Sequence, residues 1–314
     1  MGTAVLGISA FYHDSAAAIV KDGLIVAAAQ EERFSRVKHD ASFPRQAVKY
    51  VLDESGMLPS EVNGVSFYDK PLLKFERLLE TYNAFAPRGL ASFVKSTPVW
   101  IKEKLAMRRL LKNALKEFDL GNKEFYFPEH HLSHSASAYY PSGFSEAAIL
   151  TIDGVGEWAT ATIGQGKNNN IKICRELRFP HSLGLLYSSF TYFLGFKVNS
   201  GEYKVMGLSP YGDPLSSETI VFKEKILKHL VDVRDDGSFL LNMDYFDFAT
   251  GLKMIDKVKW EFLFQLRYRE PESEILRSHS NFARAAQEVT EMIILKLART
   301  TKELTGSDNL VMAG

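Results

Sequence analysis

Residues 130–134 read His-His-Leu-Ser-His, which puts three of the chain's eight histidines within five positions. On a helix, residues four apart share one face, so His130 and His134 can direct their imidazoles to one point. His131 is three residues from His134 and competes for the same role; on a helix it lies roughly 100° around from His130. Two ligands do not make a stable site. Asp153 is well placed as the third, because it closes an apolar run, Ala147–Ile152, and is followed by Gly-Val-Gly-Glu. Two histidines and one carboxylate, with positions left open, suit Fe(II) or Zn(II). In that turn the bare backbone N–H groups of Gly154 and Gly156 can approach an anion. Plainer roles fit the same residues: histidines at a helix start bond backbone or solvent, and Asp-Gly is a hairpin turn. A metal-dependent hydrolase is another use of such a triad. Against it, His131 stands where a zinc protease of the H-E-x-x-H type keeps its glutamate.

These residues need elements to position them. Val5–Ala10, Ala16–Val20 and Leu24–Ala29 are short apolar runs, the last two joined by Asp22-Gly23, and they predict an antiparallel meander. A helix follows, with Pro44 in its first turn, a stripe of Ala47, Val48, Val51 and Leu52, and Gly56 as its stop. Gly64–Tyr68 predicts a fourth strand, about 72–118 a long helical insertion broken by Pro87-Arg88-Gly89 and Pro98, and Glu124–Phe127 a fifth strand. The histidine run opens the next helix.

Then the order begins again. Ala147–Ile152, Ala159–Gly164 and Ile171–Leu177 predict a second meander, followed by a helix over Ser182–Leu194. The fold class expected is α/β, a ribonuclease-H-like fold duplicated as in actin, Hsp70 and hexokinase, with a cleft between the halves. The halves are residues 1–146 and 147–314, the second interrupted by an aromatic-rich insertion over about 215–275. Those aromatics either line an acceptor pocket or form a satellite core. A long helix over about Asn281–Leu304, closed by Gly306, leads into a last apolar strand, Asn309-Leu-Val-Met-Ala-Gly. Ending inside a core strand leaves its edge unpaired, so the second half is expected to be truncated and the chain to be a piece of a longer protein.

Composition narrows the partners. The 314 residues are 46% hydrophobic with 38 basic and 38 acidic side chains, so no global charge attracts nucleic acid or a membrane surface. No leader or membrane-spanning pattern opens the sequence, and the single cysteine, Cys174, fits a reducing compartment; a cytoplasmic location is expected. Lys102, Lys104, Arg108, Arg109, Lys112 and Lys116 make a basic helical segment, read first as a solvated face.

Seven segments, in order along the whole chain, resemble one enzyme family. They are residues 10–23 (AFYHDSAAAIVKDG), 31–44 (EERFSRVKHDASFP), 130–144 (HHLSHSASAYYPSGF), 153–160 (DGVGEWAT), 201–212 (GEYKVMGLSPYG), 236–246 (DGSFLLNMDYF) and 282–289 (FARAAQEV). The family is that of the carbamoyltransferases, which includes the nodulation protein NodU and the O-carbamoyltransferases of cephamycin and tobramycin synthesis. The tRNA threonylcarbamoyl transferases are a more distant likeness and an alternative function, although no phosphate-tracking basic stripe supports them. A non-catalytic nucleotide-binding module is a third reading.

The resemblance implies that His130, His134 and Asp153 hold a divalent metal, iron favoured and zinc possible. It implies that a fourth aspartate ligand lies beyond Gly314. There too would lie a C-terminal domain that makes carbamoyl adenylate from carbamoyl phosphate and ATP. The chain is then most of a transfer domain, inactive alone in the full reaction, and its acceptor is a hydroxylated small molecule. His13, whose ordinary pKa lies near neutrality, becomes the candidate base, or else a turn residue bonding Asp14. Lys38 is expected to pair with a phosphate or carbamoyl oxygen. Gly154, Gly156, Lys204 and Gly207 are expected at the nucleotide, and Asp244 at an acceptor hydroxyl or amine.

Overall fold

Burial alternates along Ala4–Ser9, the period-2 pattern of a strand with one face in a core. In the computed structural model, which describes residues 2–90, 93–94 and 106–314, this strand (β1) opens a five-stranded sheet. It pairs antiparallel with β2 (Ala16–Lys21), which pairs antiparallel with β3 (Leu24–Gln30). Asp22 and Gly23 join β2 to β3 with φ of 51° and 82°, the left-handed pair that a two-residue hairpin requires. β4 (Gly64–Phe67) and β5 (Glu124–Tyr126) add in parallel, giving the order β3-β2-β1-β4-β5.

A single turn, α1 (Glu32–Ser35), precedes α2 (Arg45–Ser55), which buries Ala47, Val48 and Val51 and stops at left-handed Gly56. The start of α2 carries no side-chain cap of its own. Buried Glu31 caps it instead, its carboxylate accepting the N–H groups of Gln46 (3.1 Å) and Ala47 (2.7 Å). The insertion expected over 72–118 contains α3 (Pro71–Phe85) and α4 (Met107–Leu115), the latter burying Met107, Leu111 and Leu115. Pro98, Lys102 and Lys104 lie outside the described residues. Next comes α5 (His130–Tyr139).

The second sheet repeats the first. β6 (Glu146–Ile152), β7 (Ala159–Lys167) and β8 (Asn170–Arg178) form an antiparallel meander, and β11 (Leu310–Ala313) joins β6 in parallel. Its order, β11-β6-β7-β8, read backwards reproduces the β3-β2-β1-β4 part of the first sheet. Two meanders, each extended by a parallel strand on the meander's first strand, make this a duplicated ribonuclease-H-like α/β fold. The chain divides into two compact units, Met1–Glu76 with Thr97–Ser133, and Arg77–Ser96 with His134–Gly314. Part of the helical insertion thus goes with the second sheet, and α5 crosses the partition.

Around the second sheet lie α6 (Leu183–Phe193), α7 (Glu202–Leu208), α8 (Ser217–Lys225), a hairpin of β9 (Val231–Val233) and β10 (Phe239–Leu241), α9 (Lys257–Phe264) and the 29-residue α10 (Arg277–Thr305). The aromatic insertion is not a satellite core. Phe239, Phe246, Trp260 and Phe264 are buried in one cluster with Phe190 and Phe193 of α6 and Phe282 of α10. The insertion thus contributes to the principal core of its unit. Among the described residues no helix is long and apolar enough to cross a membrane.

Two histidines in this unit serve as acceptors. His181 Nδ1 accepts the N–H of Leu241, and His279 Nδ1 that of Leu276, each at 3.0 Å. Burial holds both imidazoles below their ordinary pKa, and Arg269 adds to the effect at His279. The unfolded chain therefore takes up these protons at a higher pH than the folded one. Their contribution to stability is full above about pH 6.5 and is lost as pH falls below it. Urea midpoints are expected to drop between about pH 7.5 and 5.5, and less steeply in His279→Asn, whose amide oxygen replaces Nδ1 without titrating there. A drop of equal size in that variant would refute the assignment to His279.

Candidate metal centre

The histidine helix begins with Ser133 N–H donating to Glu129 O (2.9 Å), and Ser133 Oγ ties it to Tyr68 O (2.9 Å). It ends through a turn at Tyr140–Ser142 and left-handed Gly143. Within this helix the competition between neighbouring histidines is resolved by phase. His131 is buried, only 3% exposed, while His130 and His134 stand half-buried on another face.

Asp153 follows β6. Its N–H donates to Thr160 O (2.9 Å), which starts the loop, and Gly156 N–H donates to Ala159 O (3.0 Å), which closes it. One ligand atom from each of His130, His134 and Asp153 lies within 4.8 Å of the other two. His134 Nε2 and Asp153 Oδ2 are 3.6 Å apart, too long for a hydrogen bond. Two ligands each about 2.1 Å from a tetrahedral cation stand roughly 3.4 Å apart, so the observed gap suits a shared ion. The donor set, two imidazoles and a carboxylate, is that of Fe(II) or Zn(II) sites that keep open positions. The residues present therefore fit a divalent metal.

The loop is held from beneath by α6. Ser182, fully buried, caps that helix by accepting Leu185 N–H (3.0 Å) while its hydroxyl donates to Gly154 O (2.6 Å). Gly184, in the first turn, packs so closely that a Cβ there would stand 2.7 Å from Asp153 O. From the side, Arg77 Nη1 donates to Gly156 O (3.3 Å), and its guanidinium lies 5.1 Å from the Phe179 ring centroid. Ser182 precedes an apolar helical run, a readable cap signal. Arg77 lies in the insertion and no sequence signal marks it.

The other expected site residues fall in varied places. The amides of Gly154 and Gly156, expected to face an anion, are turned inward: Gly154 N–H donates to Asp153 Oδ1 (2.6 Å) and Gly156 N–H to Ala159 O. In this structure both donors are met within the loop itself. What remains open is the Cα side of Gly154, where a Cβ would meet nothing within 4 Å. Gly207 does not sit in a glycine-rich loop but inside α7, and Lys204 is on the same helix with Nζ 5.7 Å from the Phe196 ring centroid. α7 forms despite its glycine because Val205 is fully buried in the core. Asp244 lies exposed in a one-turn 3-10 helix, where Lys259 Nζ donates to its carbonyl (2.7 Å). His13 follows β1, and its Nδ1 is 2.9 Å from Asp14 Oδ2; Lys38 is exposed in the segment after α1.

A family model described as the carbamoyltransferase N-terminus matches residues 4–314. The chain belongs to that family. Uncharacterized protein sll1178 of Synechocystis sp. is 54% identical over 99% of this chain and 50% of its own length. Nodulation protein NolNO of Sinorhizobium fredii is 31% identical over 97% of this chain and 40% of its own length. Uncharacterized protein MJ1051 of Methanocaldococcus jannaschii is 27% identical over 96% of this chain and 48% of its own length. This carbamoyltransferase N-terminus thus spans about half the length of the curated relatives it matches.

Proposed function

We propose that this chain is the transfer part of an ATP-dependent O-carbamoyltransferase. It moves a carbamoyl group from carbamoyl adenylate, made from carbamoyl phosphate and ATP by a further domain, to a hydroxyl of a small-molecule or sugar acceptor. One observation carries the reading: His130, His134 and Asp153 converge in a chain that the carbamoyltransferase N-terminus matches over residues 4–314.

The chemistry needs few parts. The acceptor oxygen bonds to the carbamoyl carbon, the bond from that carbon to the adenylate phosphate oxygen breaks, and AMP leaves with the electron pair. The acceptor's proton passes to a base, for which His13 is the proposed group. His130, His134 and Asp153 would hold a divalent cation, iron or zinc, which when bound supplies Lewis-acid polarisation of the donor's oxygens. Lys38 and Lys204 are the proposed cationic partners of donor and nucleotide phosphate, and exposed Asp244 the proposed contact for an acceptor hydroxyl. Gly154, Gly156 and Gly207 are the proposed backbone contacts of the nucleotide, and the internal bonds of the Gly154–Gly156 loop also support Asp153.

The test is incubation of the full-length protein, loaded with iron or zinc, with carbamoyl adenylate and a panel of hydroxylated acceptors. Carbamate ester and AMP are expected in equal amounts. AMP released without ester from any acceptor would overturn the reading.

A further inference from the structure

A second constellation of chemistry-bearing side chains lies in the first unit. One carboxylate there holds two imidazoles: His13 Nδ1 is 2.9 Å from Asp14 Oδ2, and His39 Nδ1 is 3.0 Å from Asp14 Oδ1. His13 and Asp14 follow β1, and His39 comes 25 residues later, after α1. His39 carries no expected role from its spacing in the sequence.

The backbone is bent to make this cluster. Phe11, Asp14 and His39, none of them glycine, have φ of 69°, 49° and 57°. Non-glycine residues in the left-handed region persist only where surroundings enforce them, and they gather at functional sites. The enforcing contacts are present. Phe11 N–H donates to Ala41 O (2.9 Å) and Ser15 N–H to Asp40 O (2.8 Å), lacing the two segments together. His39 N–H donates to Glu32 Oε2 (3.2 Å). Asp40 is itself held, accepting Ser42 N–H (2.9 Å) and Ser42 Oγ (2.6 Å).

The hydrogen-bond inventory then sets the tautomers. An ionised carboxylate only accepts, so each Nδ1 facing Asp14 must carry the proton. Partial burial pushes the Asp14 carboxyl up, but the bonds from His39 and His13 outweigh it and hold the group below its ordinary value. Asp14 is therefore ionised at neutral pH. A neutral imidazole protonated on Nδ1 presents Nε2 as an acceptor. The side chains of His13 and His39 are 51% and 39% exposed, so both acceptors are reachable by a dissolved hydroxyl compound. The Tyr12 ring, 4.5 Å from that of His13 between centroids, restricts its orientation further.

We propose that Asp14 is a positioning residue that fixes His13 and His39 together as Nδ1–H imidazoles, making a paired-base site in which His39 is a second proton acceptor for hydroxyl substrates. The pairing of the tautomers stands on geometry alone; the proton-accepting role rests on the transfer reading above. Two bases on one carboxylate give a place for the hydroxyl proton and a second acceptor that orients a neighbouring hydroxyl, as a polyol or sugar would supply. The acceptor class that follows is one with vicinal hydroxyls.

The experiment uses the full-length protein labelled with nitrogen-15 in its histidine side chains, at a pH where the imidazoles are neutral. His13→Gln and His39→Gln assign the signals. Both rings are expected as the Nδ1–H tautomer, and Asp14→Asn is expected to return at least one to Nε2–H, since an amide offers one acceptor oxygen and not two. Asparagine tolerates the left-handed region, so the loop is kept. In carbamoyl transfer, Asp14→Asn should lower kcat by about 100-fold or more, the range of general-base catalysis, with bound metal unchanged. His39→Gln should raise KM for a vicinal diol more than for a mono-alcohol. Nε2–H tautomers for both rings in the unaltered protein overturn the proposal, and so does an unchanged kcat in Asp14→Asn. An unaltered protein that transfers no carbamoyl group defeats the transfer reading and with it the proton-accepting role, while the spectra decide the tautomer pairing on their own.

Discussion

Asp153→Ala and His134→Ala are each expected to lose bound metal almost completely while the protein stays folded. An outer-shell partner of a metal ligand is worth about 10–100-fold in affinity, and a direct ligand in a three-residue site more than that, so losses beyond roughly 100-fold are expected. The fold should survive because the two side chains are half-buried and belong to neither hydrophobic core, although Asp153→Ala gives up the bond from Gly154 N–H. Elemental analysis of the purified variants, with calorimetric titration of Zn(II) or anaerobic Fe(II), measures the effect. His131→Ala provides the contrast. That histidine is buried and outside the ligand cluster, so its loss should cost stability and spare metal. Gly184→Ala is the companion that touches no ligand. Its Cβ would stand 2.7 Å from the Asp153 carbonyl oxygen, a backbone atom that can yield only by moving the loop. An affinity loss of about 10–100-fold is expected there. Unchanged metal content in both Asp153→Ala and His134→Ala would remove the centre from the mechanism.

Much of this arrangement is legible in the sequence, and the reasons it is not legible elsewhere are physical. Period-2 burial, an Asp-Gly turn and glycine stops are local signals, and they placed β1 to β3, the end of α2 at Gly56 and the end of α10 at Gly306. The His130–His134 pair was readable because helical period relates the two directly. Phase, however, is set by packing: nothing in His-His-Leu-Ser-His says that His131 is the buried one. The same limit applied to the insertion, where aromatic composition does not reveal whether rings face solvent or a partner. α7 was hidden because Gly201, Gly207 and Gly212 lie within twelve residues, whereas only Gly207 falls inside the helix, where burial of Val205 offsets its weak helix propensity. The Glu31 cap, the Ser182 latch and the Asp14–His39 bond join residues 16, 28 and 25 positions apart, beyond any local pattern.

The second large effect is expected from Trp260→Ala, a residue outside the candidate ligand cluster. Trp260 is fully buried, and its ring centroid lies 5.8 Å from that of Phe190, 5.4 Å from Phe193, 5.6 Å from Phe264 and 5.9 Å from Phe246. Its Nε1–H donates to Tyr245 O at 2.9 Å, a carbonyl that also accepts the N–H of Asp256 (3.1 Å), so truncation opens a cavity and removes one of that carbonyl's two hydrogen bonds. Aromatic-to-alanine changes in cores cost about 3–5 kcal/mol, a large part of a domain's stability. Phe262 is on the same helix but 80% exposed, and Phe262→Ala should cost less than about 0.5 kcal/mol. Denaturant titration of the two variants separates the cases. The consequence for function runs through α6. Phe190 and Phe193 pack that helix against Trp260, and Ser182 at its start holds the Asp153 loop by Gly154 O. Loosening the aromatic core therefore loosens the platform under Asp153, a proposed metal ligand, and Trp260→Ala should lose metal at denaturant concentrations where Phe262→Ala still retains it. Equal stability of the two variants would show that the insertion is an appendage to the second unit and not its core.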